Sequence, residues 1–212
     1  MDVVVAGGHG KVGLRLLRLL ADRGHSARGL IRNPDHARDL HEVGAEPVLC
    51  DIEALDDISR CCAGADAVVF AAGAGPGSGP ERKRTVDYGG AVKLIDAARK
   101  NGIDRYVMVS AIRVDRPDEW PEPMLPYYEA KRDADEALVR SGLTYTIVRP
   151  GSLTDDVGTG LVEIGFGLEA GEIPREDVAV TLFFTLAAVN TYGQAFDVVS
   201  GDDPVEDAVA NL

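Results

Sequence analysis

"VVVAGGHGKVG", Val3 to Gly13, places three glycines three residues apart directly behind a run of valines. β-branched side chains suit a pleated surface, and a parallel strand covered on both faces tolerates such a continuous apolar run. From Lys11 to about Arg23, apolar residues recur at helical spacing (Val12, Leu16, Leu17, Leu20), and Gly24 supplies a C-terminal stop. The glycines therefore lie between a strand and a helix. There Gly7 serves the tight turn, Gly10 the approach of backbone to a pyrophosphate, and Gly13 the close packing of helix on sheet. The free N–H groups of a helix start complete an anion site. The spacing is G-x-x-G-x-x-G, and its position between strand and helix makes dinucleotide binding the reading over a merely structural turn. Gly7, His9, Gly10, Lys11, Val12 and Gly13 are the positions expected around the cofactor, with His9 a loop neighbour, not a catalytic or metal-binding group.

The chain has 212 residues, enough for one good core and short for two, given domains of about 100 to 200 residues. A single domain over 1–212 is expected, in which 150–212 adds a small substrate-side region. The net charge is −13, from 35 acidic and 22 basic residues. That argues against nucleic-acid or anionic-membrane binding and leaves a small molecule as the expected partner. Three cysteines, with Cys61 and Cys62 adjacent and no C-x-x-C pair, form neither a disulfide framework nor a zinc pattern. With a strand starting at Asp2 or Val3 and no apolar run of the ~18 residues that a membrane span needs, a cytoplasmic protein is expected.

Strand and helix signals alternate along the chain, which predicts an α/β fold: a doubly wound parallel Rossmann sheet with helices on both faces. The expected strands are Asp2–Ala6, Ser26–Ile31, Glu46–Cys50, Ala67–Ala71, Arg105–Ser110, Thr144–Val148 and Ala195–Val199. After the first helix, further helices are expected near Pro34–Glu42, Leu55–Cys62, Arg82–Lys100, Tyr128–Arg140 and Arg175–Val189. The glycine-rich "AAGAGPGSGP", Ala71 to Pro80, follows a strand's carboxyl end, where ligands bind in open α/β sheets.

An acid about 20 residues beyond the glycine loop selects NAD through the ribose 2′-hydroxyl. This chain reads "LIRN" there. Arg32 occupies the acid's place, and a guanidinium suits a 2′-phosphate, so NADP is expected over NAD; the plainer alternative is a solvated arginine at a strand end. In "CDIE" one strand later, Asp51 either accepts from the adenine amino group, with Ile52 covering the ring, or caps a helix.

"VMVS" ends a buried strand with Ser110, and "PYYEAKRDADEAL" follows after a proline-rich loop. Tyr127 and Lys131, four apart, share a helix face. A lysine beside a tyrosine favours the phenolate, lowers its pKa toward working pH, and can hold a nicotinamide ribose. Ser110 is placed to bind a substrate oxygen. Tyr128, three residues before Lys131, competes with Tyr127 for the same task.

The glycine loop, "AAGAG", "TVDYGGAVKLIDAARKNGIDRYVMVS", Tyr-x-x-x-Lys and "SGLTYTIVRPGSLTDDVGTG" together resemble the atypical short-chain dehydrogenase/reductase superfamily, in its small NAD(P)H-binding, epimerase-like branch. The resemblance covers nearly the whole chain. It implies a Rossmann sheet carrying NADP, with Arg32, Asp51 and the Ala71-Ala72-Gly73 stretch beside the glycine loop. It further implies Ser110, Tyr127 and Lys131 as the catalytic set, and Pro150, Gly151 and Ser152 in the loop flanking the nicotinamide. The superfamily's Asn-Ala-Gly reads Ala71-Ala72-Gly73 here, so the asparagine is missing, and the region after Pro150 is small for a substrate lid. The expected activity is an NADP-dependent oxidoreductase or epimerase acting on a small carbonyl or alcohol. The alternatives are a non-catalytic NADP-binding sensor or scaffold and a flavin or quinone reductase that does not need the tyrosine.

Overall fold

Val3, Val4 and Val5 are all fully buried, because helices cover both faces of the strand that they form. The computed structural model describes residues 1–75 and 77–212. Within them the chain runs β1 (Asp2–Ala6), α1 (Lys11–Asp22), β2 (Ser26–Ile31), α2 (Ala37–Glu42), β3 (Glu46–Leu49) and β4 (Ala67–Phe70). It continues through α3 (Gly79–Arg82), a π-helical stretch over Lys83–Gly90, α4 (Ala91–Asn101), β5 (Arg105–Val109), α5 (Leu125–Val139) and β6 (Thr144–Pro150). The last part contains β7 (Ser152–Thr154), β8 (Leu161–Gly165), β9 (Glu172–Pro174), α6 (Arg175–Ala187), β10 (Gln194–Ser200), β11 (Asp203–Pro204) and α7 (Val205–Ala210).

The nine-stranded sheet has the order β3-β2-β1-β4-β5-β6-β10-β8-β11. From β3 to β10 every neighbouring pair is parallel, and β8 joins β10 antiparallel at one end. Alternate strand residues serve opposite cores. Val3, Val5, Val69 and Val107 join α1, α2, α6 and α7, whereas Val4, Val68, Phe70, Tyr106 and Met108 join α4 and α5. Each buried valine contributes about 1.5–3 kcal/mol over exposure. Pro47, which lacks an N–H, sits in the edge strand β3, where a missing ladder donor is tolerated. This is the doubly wound Rossmann arrangement, and the chain reverses direction across the sheet between β1 and β4, the switch point beside which ligands bind.

Several element boundaries differ from the sequence expectation. The helix expected over Leu55–Cys62 is only a 3₁₀ turn, Ser59–Cys62, because Asp51 and Asp57 tie their carboxylates to backbone N–H groups downstream and hold the segment in turns. The helix expected from Arg82 begins at Gly79, and the one expected from Tyr128 begins at Leu125. After Pro150 four short strands appear that periodicity did not reveal. β7 and β9 pair in a separate two-stranded sheet, while β8 and β11 extend the main one. No helix among the described residues is long and apolar enough to cross a membrane.

The glycine junction separates structural from ligand-facing positions. A Cβ on Gly13 would be driven into the Gly7 carbonyl oxygen, and Gly7 itself has φ +84°. A Cβ on Gly10 would meet only that same oxygen, at 3.0 Å, with φ at an ordinary −66°. Gly13→Ala is therefore expected to lose about 3 kcal/mol of unfolding free energy and Gly10→Ala about 1 kcal/mol or less, measured by urea titration. Equal losses would contradict the assignment of Gly13 to packing.

Candidate functional site

Two cavities meet along the carboxyl ends of β1 and β4 and share Ala71, Ala72 and Gly73. Where they meet, the chain comes very close to itself. A Cβ on Gly7 would lie 2.7 Å from the Ala72 nitrogen. Helix α1 starts at this point with no side-chain cap and no acid in its first turn, so its N–H groups and dipole are available to an anion.

The smaller cavity, about 320 Å³, is lined by Gly7, His9, Gly10, Arg32, Asp51 and Ile52, among others. His9 bonds Asp39 at 2.7 Å and stacks on His36, with ring centroids 3.6 Å apart. Asp51 caps no helix, since only a turn follows it: its Oδ1 accepts from the N–H groups of Glu53 and Ala54 at 2.9 and 3.2 Å, while the residue faces the cavity. The Arg32 side chain is 59% exposed and approaches Glu53 at only 3.9 Å. Glu53 is held more closely by Arg82 at 3.0 Å and by the Thr85 hydroxyl at 2.6 Å. Those two partners keep its carboxyl below the usual range. Arg82, His36 and Glu53 were not singled out from the sequence, because only the fold brings their elements to the end of β2.

The larger cavity, about 680 Å³, gathers Val12, Ser110, Tyr127, Lys131, Pro150, Gly151 and Ser152 around the shared Ala71–Gly73 wall. The loop expected to contact ligand, Ala71–Pro80, contributes Gly75, Gly77, Ser78, Gly79 and Pro80, and position 76 lies outside the described residues. Two expected positions line neither cavity. Lys11 turns its ammonium to Asp155, and Gly13 packs against Gly7.

Both candidate tyrosines border the larger cavity, but they have different neighbours. Tyr128 stacks on Trp120 at 5.4 Å, and Arg132 covers the other aromatic partner at 5.2 Å. Tyr127 has Lys83 and Lys131 near its ring, 5.4 and 6.0 Å from the centroid. Lys131 is buried, donates to the Val109 carbonyl at 3.1 Å, and lies 3.5 Å from the buried carboxylate of Asp87. Asp87 also accepts from the Ala74 N–H at 3.0 Å, so one carboxylate joins α5 to the loop after β4.

This pairing reverses one expectation. Lys131 was expected to lower the Tyr127 pKa, yet burial, followed by the Asp87, Tyr128 and Asp135 charges, pushes the phenol up and keeps it protonated. Lys131 divides its attraction between the Asp87 carboxylate and the Tyr127 ring. The sequence signal that could have revealed this is the apolar frame around "TVDYGG", which makes Asp87 a buried acid in need of a cation.

Beneath Tyr127, Asp135 lies one helical turn beyond Lys131 and pairs with Arg149 at 3.2 Å. Burial outweighs that cation and raises the carboxyl to about 6. The Ser110 hydroxyl lies beside it and draws the carboxyl down, though among the described residues neither Ser110 Oγ nor Asp135 Oδ1 reaches full hydrogen-bond geometry. A buried hydroxyl left without a partner at a cavity wall has an unmet bond to offer a ligand.

The sequence profile of the NAD(P)H-binding family matches residues 7–188. The chain belongs to that family. It is 42% identical to an uncharacterized sugar epimerase of Bacillus subtilis, over 100% of both chains. Among solved structures it is similar to a Bacillus halodurans protein provisionally named an NAD-dependent epimerase/dehydratase, at TM-score 0.95 and 40% identity, with 100% of each chain covered. It is also similar to an oxidoreductase from Lactococcus lactis, at TM-score 0.90 and 27% identity, covering 100% of this chain and 96% of that one. The chain is thus an NAD(P)-binding Rossmann protein of the epimerase- and reductase-like kind. The uncapped α1 start and the open side of Gly10 fit a dinucleotide laid across both cavities.

Asp87→Asn keeps the shape of the acid while removing its charge. The Tyr127 phenol is expected to titrate at lower pH in that variant, because Lys131 is released and a like charge is lost. Ultraviolet difference titration, with Tyr127→Phe identifying the signal, measures this; an unchanged midpoint would show that burial alone holds the phenol protonated.

Proposed function

We propose that the chain is an NADP(H)-dependent oxidoreductase that reduces a small carbonyl compound. The observation that carries this reading is the gathering of Ser110, Tyr127 and Lys131 on one cavity, with the phenol held in its protonated, donating form. Arg32, Gly7 and Gly10 hold the adenine half of the dinucleotide, and Ala71–Gly73 with Pro150–Ser152 flank its nicotinamide end. Bound there, a reduced nicotinamide supplies hydride to the carbonyl carbon. Ser110 Oγ–H and Tyr127 Oη–H donate to the carbonyl oxygen, and the Tyr127 proton moves to that oxygen as its negative charge develops. Asp87 fixes Lys131 beside the ring, where the ammonium stabilises the phenolate left behind.

Selection of NADP rests on Arg32. Its contact with Glu53 is long and its side chain largely exposed, so the guanidinium is free to take a 2′-phosphate. The names of the relatives support an epimerase- or reductase-like chemistry.

A combined experiment tests the reading. NADPH is expected to bind more tightly than NADH, and Arg32→Ala to erase a preference worth about 1.5–3 kcal/mol. Tyr127→Phe is expected to lower kcat about 10²- to 10⁴-fold with NADPH affinity nearly intact. Calorimetric titration and NADPH oxidation over a panel of aldehydes, ketones and quinones measure both. Absence of turnover across the panel would favour the sensor or scaffold reading, and quinone turnover that survives Tyr127→Phe would favour the quinone reductase.

A further inference from the structure

The larger cavity is positively charged, although the chain as a whole carries −13. Its charged lining residues are Lys83, Asp87, Lys131 and Arg175. Lys131 is matched by Asp87 at 3.5 Å, and Arg175 by Asp155 at 2.8 Å. Lys83 has no carboxylate partner among the described residues. Its Nζ donates to the Gly75 carbonyl at 2.7 Å and stands 5.4 Å from the Tyr127 ring centroid. An ammonium has three donors, so that bond leaves two unused. Within the cavity that ammonium meets a carbonyl dipole and a ring face, and an anion bound there would give it a charge partner.

The pyrophosphate seat does not account for Lys83, which lines the cavity at the nicotinamide end. The anion seat at the α1 start opens toward Gly7, His9 and Gly10, and Lys83 is absent from the cavity that those residues line. Lys83 instead rises from the π-helical stretch, a winding frequently found at functional sites. The same stretch places Asp87 against Lys131. The cavity wall near it is largely apolar, with Ile112, Pro123, Met124, Tyr128 and Leu153.

We infer that Lys83 recognises an anionic group of the substrate, and that the substrate is a carbonyl compound bearing a carboxylate close to the carbonyl, as in a 2-oxo acid with an apolar side chain. This rests on the reductase reading above. In the reaction, hydride from NADPH forms the new C–H bond and the carbonyl π pair takes the Tyr127 proton, giving the 2-hydroxy acid and NADP⁺. The carboxylate remains on Lys83 and does not change. Holding it there sets the carbonyl oxygen toward Tyr127 and Ser110.

Benzoylformate and its methyl ester are the probes, since they differ in the anionic charge. NADPH oxidation by wild type, Lys83→Met and Lys83→Arg gives the acid-to-ester ratio of kcat/KM. Calorimetry of benzoylformate binding to the protein saturated with NADP⁺ gives affinity without turnover. Wild type is expected to favour the acid. Lys83→Met is expected to narrow the acid-to-ester ratio about 10- to 100-fold and to weaken benzoylformate binding comparably. Lys83→Arg should restore most of both, with NADPH affinity held within about twofold in each variant, as Lys83 lies outside the anion seat. Taking the ratio removes any effect of Lys83 on Tyr127 that acts on both probes. The inference is overturned if benzoylformate does not bind, if wild type favours the ester, if both probes fall equally in Lys83→Met, or if NADPH affinity falls with them. Lys83-dependent benzoylformate binding without oxidation of NADPH would uphold the anion site and contradict the reductase reading. Reduction of the ester as fast as the acid would do the reverse.

Discussion

The close approach of backbone to backbone where Gly7 turns under Gly13 and against Ala71–Ala72 is the constraint on which the rest depends. No side chain fits between β1, the start of α1 and the end of β4, so the helix sits low enough for its unpaired N–H groups to face the crevice. A second tight pair reinforces it: a Cβ on Gly8 would come within 2.6 Å of the Gly29 Cα on β2. The same bare backbone that allows the sheet and helix to pack also opens the two cavities on either side of the α1 start. Packing and ligand seat are therefore a single feature.

Charge is distributed around that seat by commitment. Asp87 takes Lys131, Asp135 takes Arg149, and Glu53 takes Arg82. These pairs leave Arg32 loosely held at one end of the crevice and Lys83, among the described residues, without a carboxylate at the other. The proposed 2′-phosphate and substrate-carboxylate seats lie at these two ends of an otherwise acidic protein. Burial, followed by the Asp87 charge, keeps the Tyr127 phenol protonated.

Much of this was legible in the sequence. The valine run, the glycine spacing and the strand–helix alternation lead to the parallel sheet, and Ser110, Tyr127 and Lys131 do reach one cavity. At Asp51, helix capping and ligand contact call for the same residue type at the same place, and the fold has it close a turn, with no helix after it, while facing the cavity. Asp87 and Lys83 were missed because they lie far from Tyr127 in sequence and because π-helical winding has no apolar period to read. The short strands β7, β8, β9 and β11 were missed for a related reason. They are three to five residues long, or two for β11, with mixed burial, and edge pairing more than side-chain pattern defines them.

The central claim is that the bare backbone at the start of α1 is the dinucleotide seat, and calorimetric titration of NADPH into wild type and Gly10→Val, alongside their unfolding free energies, tests it most directly. The account predicts saturable binding in wild type and none in Gly10→Val, because a branched side chain fills the space left for the pyrophosphate while the helix keeps its packing through Gly13. Normal NADPH binding by a folded Gly10→Val protein would contradict it.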